Sequence, residues 1–88
     1  MKEVCQQALD KWGLEKQELI LIEEMAELTQ ALIKNRRNDT NAVHANLVEE
    51  IADVEIMLMQ LKMGRKIERD VQSWKEYKIK ALKQKVLG

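Results

Sequence analysis

The chain has 88 residues, zero formal net charge at pH 7, and hydrophobic residues make up 45% of it. A chain of this length forms one domain, residues 1–88, with a marginal core, because so small a protein buries only about 60% of the surface exposed on unfolding. The composition excludes disorder, and no apolar run approaches the roughly 20 residues that a membrane span needs. One cysteine and no apolar leader segment favour a cytoplasmic protein.

Charge is unevenly distributed along the chain. Acidic side chains concentrate in residues 1–60 and basic ones in residues 61–88. We expect the basic segment to form a solvated helix face. Binding to a nucleic acid polymer is not expected, because the acidic body repels phosphate chains and no aromatic side chains interleave with the basic ones.

The predicted elements are all helical. The chain has no proline and three glycines, and no segment alternates with period two, so we expect an all-α fold of about four helices. The first covers 2–11 and stops at Gly13; the second covers 15–34; a polar loop covers 34–41. The third helix runs to Met63 and ends at Gly64, and the fourth covers 66–87. A short loop requires the two central helices to run antiparallel, which predicts an antiparallel helical bundle.

Each central helix carries an E-E-x-x-[E/D] motif, "EEMAE" at 23–27 and "EEIAD" at 49–53. At about 100° per residue, Glu24 and Glu27 border one apolar stripe, and Glu50 and Asp53 border another by the same offset. The two stripes are centred on Leu21, Met25, Leu28 and Leu32, and on Leu47, Ile51, Val54 and Leu58. The first acid of each motif, Glu23 or Glu49, is expected to point to solvent.

Four carboxylates around one groove repel each other, so a cation or protonation must compensate them. Oxygen-only ligands favour Mg²⁺, or Mn²⁺, as the bound ion. No Cys/His cluster argues for zinc, and a di-iron bundle would need Glu-x-x-His pairs, whereas His44 is the only histidine. A single E-x-x-E motif is common on solvated helices. Two such motifs that flank their apolar stripes by the same offset favour a metal site.

The motif pair, "EEMAE" at 23–27 followed 22 residues later by "EIAD" at 50–53, resembles the EExxE…ExxD signature of the all-α nucleoside triphosphate pyrophosphohydrolases. That superfamily includes the MazG proteins and the dimeric dUTPases. The segments "DKWGLEKQELILIEEMAELTQALIK", "NLVEEIADVEIMLMQL" and "WKEYKIKAL" are similar to small single-domain MazG-like proteins, so the resemblance covers almost the whole chain.

The resemblance implies hydrolysis of a nucleoside triphosphate between its α- and β-phosphates, giving a monophosphate and pyrophosphate. It also implies that Glu24, Glu27, Glu50 and Asp53 are the Mg²⁺ ligands and catalytic residues, and that the chain assembles as a homodimer or tetramer. The assignment agrees with the four acids that the helical wheel selects.

Three further side chains are candidates for substrate binding. Lys78 falls within the inner arc expected for the fourth helix, where it either contacts a phosphate or extends from a groove edge to solvent. Asn46 is a candidate to orient the attacking water. Trp12 either lines a base pocket or anchors the core. The inner arc comprises Val71, Trp74, Ala81, Leu82 and Val86.

The third helix is apolar on a second side, at Ala45, Ile56 and Met59, which predicts burial against another copy. The alternative function is a non-catalytic helical oligomer that binds metal or another protein. The periodic pattern does not define which nucleobase is preferred.

Overall fold

A long antiparallel helical hairpin dominates the computed structural model, which describes all residues 1–88. Helices α2 (Leu14–Arg37) and α3 (Asn41–Gly64) form it, preceded by α1 (Lys2–Trp12) and followed by α4 (Glu68–Leu87). The predicted all-α fold of four helices is confirmed. No helix combines the length and apolar character required to cross a bilayer.

The connection between α2 and α3 is shorter than predicted. Helix α2 continues to Arg37, so only residues 38–40 are non-helical and the expected loop over 34–41 is wrong. Basic side chains at Lys34, Arg36 and Arg37 stabilise the last turn of α2, where the helix dipole is negative. Thr40 caps α3, its hydroxyl accepting a hydrogen bond from the Val43 amide at 3.2 Å.

Two other helix boundaries depend on backbone conformation. Gly13 separates α1 from α2 with φ 87° and ψ 151°, a region that side-chain-bearing residues rarely occupy. Helix α4 begins at Glu68 rather than at residue 66, because Lys66 adopts φ 58° and interrupts the helix. Helix α3 ends at Gly64, as predicted.

The line of contact between α2 and α3 differs from the predicted stripes. The residues that α2 buries are Gln17, Leu21 and Ala31, whereas Met25 and Leu32 are exposed. Helix α3 buries Val54, Met57 and Gln60, whereas Ile51 and Leu58 are exposed. Alternating steps of three and four residues connect the less exposed positions: 17, 21, 24, 28 and 31 on α2, and 43, 47, 50, 54, 57 and 61 on α3. We call these two lines the seam.

Helix α1 packs against α3. Cys5 and Leu9 are its buried residues, and the Cys5 thiol lies 4.0 Å from the Ile56 carbonyl oxygen. Of the residues predicted to meet another copy, Ala45 and Ile56 remain exposed and Met59 is half-buried.

Helix α4 extends away from the hairpin. It packs against α3, forms one ion pair with α1 (Lys2–Glu68), and buries none of its residues. The predicted inner arc is therefore wrong within one chain, since Trp74, Leu82 and Val86 are more than half exposed. The Cα radius of gyration is 15.8 Å, whereas a compact domain of this length has about 12 Å.

Candidate metal centre

Three carboxylates from the two motifs converge on one point of the seam. Oxygen atoms of Glu24, Glu27 and Glu50 all lie within 4.8 Å of one another. Glu24 follows Leu21 on α2, and Glu50 precedes Val54 on α3, so both glutamates occupy seam positions that would ordinarily be apolar. The antiparallel register of the hairpin, in which Gln17 pairs with Gln60, places them opposite each other.

The seam position removes part of each glutamate from water. One oxygen of Glu24 and one of Glu50, Oε2 in both, are buried without a hydrogen-bond partner. Neither of the two ion pairs, Lys2–Glu68 and Arg65–Glu18, involves the cluster. Buried carboxylate oxygens without a donor are unfavourable, so the cluster requires a proton or a cation for compensation.

Raised pKa values at two of the glutamates also indicate that the cluster needs a proton or a cation. Burial raises the pKa of Glu50 to about 7, with further contributions from the negative charge of Glu27 and from a hydrogen bond that protonated Glu50 donates to Glu24. Burial likewise raises the pKa of Glu24, followed by the charges of Glu27 and Asp53. Burial and the neighbouring negative charges thus favour the protonated form of Glu50 up to about neutral pH.

The fourth motif acid lies beside the cluster rather than within it. Asp53 is outside the set of oxygens within 4.8 Å, but its charge raises the pKa of both Glu24 and Glu50. Glu23 and Glu49 are exposed, as the helical wheel predicted. Glu27 is also exposed, which leaves one side of the cluster open to solvent.

The donor set suits a hard divalent cation. Ligands of Mg²⁺ lie about 2.0–2.1 Å from the ion, so two of them stand at most about 4.2 Å apart. The carboxylate oxygens lie within 4.8 Å of one another, which is close to that spacing. A cation here would also satisfy the two buried oxygens.

The candidate substrate residues are not all near this point. Lys78 lies on exposed α4, with its ammonium 5.9 Å from the Trp74 ring. Asn46 is exposed on α3, one turn before Glu50. Trp12 is 49% exposed, so it does not anchor the core; it borders a groove between α1 and the hairpin.

The sequence did not predict one buried pair of polar residues. Gln17 of the seam and Gln60 beside it are both buried, and Gln17 Nε2 donates a hydrogen bond to Gln60 Oε1 at 2.7 Å. Their spacing is the available signal, because each stands seven residues from a motif acid, Glu24 or Asp53, and so on the same side of its helix.

Compared with known proteins, the chain matches no family model, no curated protein and no solved structure. Assignment to the MazG-like proteins therefore rests on the motif residues and stays a prediction.

Proposed function

We propose that the protein is a Mg²⁺-dependent nucleoside triphosphate pyrophosphohydrolase of the cytoplasm, which also accepts Mn²⁺. Water adds to the α-phosphorus, the bond to the bridging oxygen breaks, and the products are a nucleoside monophosphate and pyrophosphate. The observation that carries the proposal is the convergence of Glu24, Glu27 and Glu50 from two helices, with two of their oxygens buried and unpartnered.

Each acid has a distinct position in this proposal. Glu24 and Glu50 hold the cation from opposite helices, and exposed Glu27 binds it from the open side where the phosphates enter. Asp53, whose oxygens lie outside the converged set, adds negative charge beside them. When bound, the metal neutralises phosphate oxygens and acidifies a bound water.

The assay that tests the proposal measures release of pyrophosphate and monophosphate from normal and damaged (d)NTPs with Mg²⁺ or Mn²⁺. We expect equimolar products from the wild type. Glu24→Gln and Glu50→Gln should abolish turnover while preserving helix content, because they remove ligand charge without changing shape. Matched controls are Glu23→Gln and Glu49→Gln, which alter the exposed neighbours and should retain activity.

Two results would contradict the proposal. If the wild type is inert on the whole panel, the alternative gains: a non-catalytic helical oligomer that binds metal or another protein. If Glu49→Gln is as damaging as Glu50→Gln, the buried position of Glu50 has no bearing on activity.

We further propose that the working form is a homodimer, or a tetramer of two dimers. The chain exposes 7209 Å², whereas a compact monomer of its 10.3 kDa mass exposes about 5,400 Å². The excess of roughly 1,800 Å² per chain is in the range that an obligate interface buries. Much of it lies on α4, where Trp74, Leu82 and Val86 are exposed.

Sedimentation measures this directly. At micromolar concentration the mass should be at least twice that of one chain, and Trp74→Ser with Leu82→Ser should lower it. A matched substitution of a charged residue on the same helix, Lys80→Ser, should leave the mass unchanged. A wild-type species of 10.3 kDa would exclude the dimer.

A further inference from the structure

The two central helices carry apolar side chains for more than one line of contact. Met25 and Ile51 lie beside the seam and are 41% and 42% exposed. A turn of about 50° by each helix would bring these two side chains into contact. The same turn would move Glu24 and Glu50 to the edge of the interface. Burial of apolar surface alone therefore favours a packing that separates the two glutamates.

A buried hydrogen bond opposes that turn. Gln17 and Gln60 are each 5% exposed, and Gln17 Nε2 donates to Gln60 Oε1 at 2.7 Å. Gln60 Nε2 lies 3.7 Å from the Met57 sulfur, so the oxygen of the same amide faces Gln17. After a turn of about 50° by each helix, Gln60 would point roughly 150° away from the line of contact. The two amides would then lose their hydrogen bond.

The glutamine pair is poorly suited to a role in stability alone. Gln17 Oε1 is buried without a hydrogen-bond partner, and such an acceptor offsets what one hydrogen bond contributes. Apolar side chains of similar shape would be about as stable in its place. In coiled coils, a buried polar side chain instead fixes how the helices pair, at a cost in stability.

The orientation of the glutamines also sets the orientation of the acids. Glu24 lies seven residues from Gln17 on α2, and Asp53 lies seven residues from Gln60 on α3. Seven residues are about two turns, so each acid points within roughly 20° of the glutamine on its own helix. The connection over 38–40 limits sliding at the other end of the hairpin. The glutamine pair thus fixes the rotation that the connection leaves free.

We propose that the hydrogen bond between Gln17 and Gln60 selects, from two packings of the hairpin, the one in which Glu24 and Glu50 face each other. Both glutamines are positioning residues, since they act on the cation site through the rotation of the helices. The inference rests on the proposed function for the cation, and it does not depend on hydrolysis.

The double substitution Gln17→Met with Gln60→Met removes both amides and nearly keeps the size of the side chains. The variant should retain the helix content and urea midpoint of the wild type. Its affinity for Mn²⁺, titrated without nucleotide, should fall about tenfold, as for other residues that position metal ligands. A role in stability alone would lower the urea midpoint and leave the affinity unchanged. Gln30→Met with Gln72→Met, at exposed positions, is the matched control and should alter neither.

Thiol labelling reports the rotation without a metal. In a Cys5→Ala background, Met25→Cys places a thiol at a position that is exposed in the structure. The double methionine substitution should slow labelling at position 25 severalfold, because that position would enter the interface. Glu23→Cys places a thiol on the solvent side in both packings, so its labelling rate should stay the same.

Polar side chains beside the seam should reverse the loss of affinity. Met25→Gln with Ile51→Gln, added to the double methionine variant, opposes burial of those two positions. The combined variant should regain the Mn²⁺ affinity of the wild type. In the otherwise unchanged chain, the same two substitutions alter exposed positions and should leave the affinity as it is.

The possible outcomes separate this inference from the proposed function. Wild-type Mn²⁺ affinity and labelling in the double methionine variant would overturn the inference. Loss of its helix content would also overturn it, because the glutamines would then be needed for folding itself. If the wild type binds no Mn²⁺, the cation site is overturned, and the labelling at position 25 decides the role of the glutamines. If the wild type binds Mn²⁺ and hydrolyses no triphosphate, only the proposed hydrolysis is overturned.

Discussion

Replacement of Glu50 by glutamine tests whether the position of Glu50 in the seam raises the pKa of its carboxyl group. In the folded chain the pKa of Glu50 is about 7, against an ordinary value of 4.5. A carboxyl whose pKa is higher in the folded state stabilises the fold fully below its unfolded value, and that stabilisation is lost as pH rises through the folded value. The window is therefore pH 4.5 to about 7.

The size of the effect follows from the two pKa values. At pH 6, a group of pKa 7 is about nine-tenths protonated, whereas one of pKa 4.5 is about 3% protonated, so folding takes up roughly 0.9 proton at Glu50. Urea unfolding of the metal-free protein at a series of pH values measures this uptake as the slope of unfolding free energy against pH. The wild-type slope should be more negative than that of Glu50→Gln by about 0.9 × 2.303RT per pH unit.

The glutamine is neutral at every pH and keeps the shape of the side chain, so the variant should gain stability relative to the wild type as pH rises to 8. Glu49→Gln, one position away and exposed, should keep the wild-type slope. Equal slopes for wild type and Glu50→Gln between pH 5 and 7 would refute the reasoning, since the carboxyl would then titrate as it does in the unfolded chain.

The remaining predictions concern the cation and the two helix junctions. Because about half of the Glu50 carboxyls carry a proton at pH 7, saturating Mg²⁺ should release roughly 0.5 proton per chain there, and Glu50→Gln should abolish this release in calorimetry with buffers of different ionisation enthalpy. Gly13→Ala should lower the unfolding free energy by about 1–3 kcal/mol, because φ 87° is strained for alanine although the space around it is open; an unchanged value would show that the junction relaxes. Thr40→Ala should cost about 1 kcal/mol through loss of the α3 cap, measured by the same urea unfolding, and a neutral result would mean that water replaces the hydroxyl.

Helix content was predictable because the chain has no proline and its apolar residues repeat with helical spacing. The outward positions of Glu23 and Glu49 and the break at Gly13 followed from the same local information. The expected loop was too long, since a polar composition does not distinguish a loop from a solvated last turn of a helix.

The rotation of each helix was less predictable. The sequence pattern favoured a contact line through Met25 and Ile51, because those residues are apolar, whereas the structure places Glu24 and Glu50 in the seam. Burial of a charged glutamate between two helices is ordinarily unfavourable. The apolar pattern of a sequence therefore does not predict a glutamate in the line of contact. The unpaired acceptor of Gln17 was likewise unpredictable, since it depends on how two side chains orient each other.

The three-residue connection between α2 and α3 fixes which residues face each other along the hairpin. Removal of one residue from α3 ahead of Glu50 would rotate that carboxylate by about 100° and carry it out of the seam. Addition of seven residues to each helix next to the connection would return both glutamates to facing positions, because two turns nearly close at that length. The site therefore tolerates insertion of seven residues into both helices. Insertion of one residue into only one helix would separate Glu24 from Glu50.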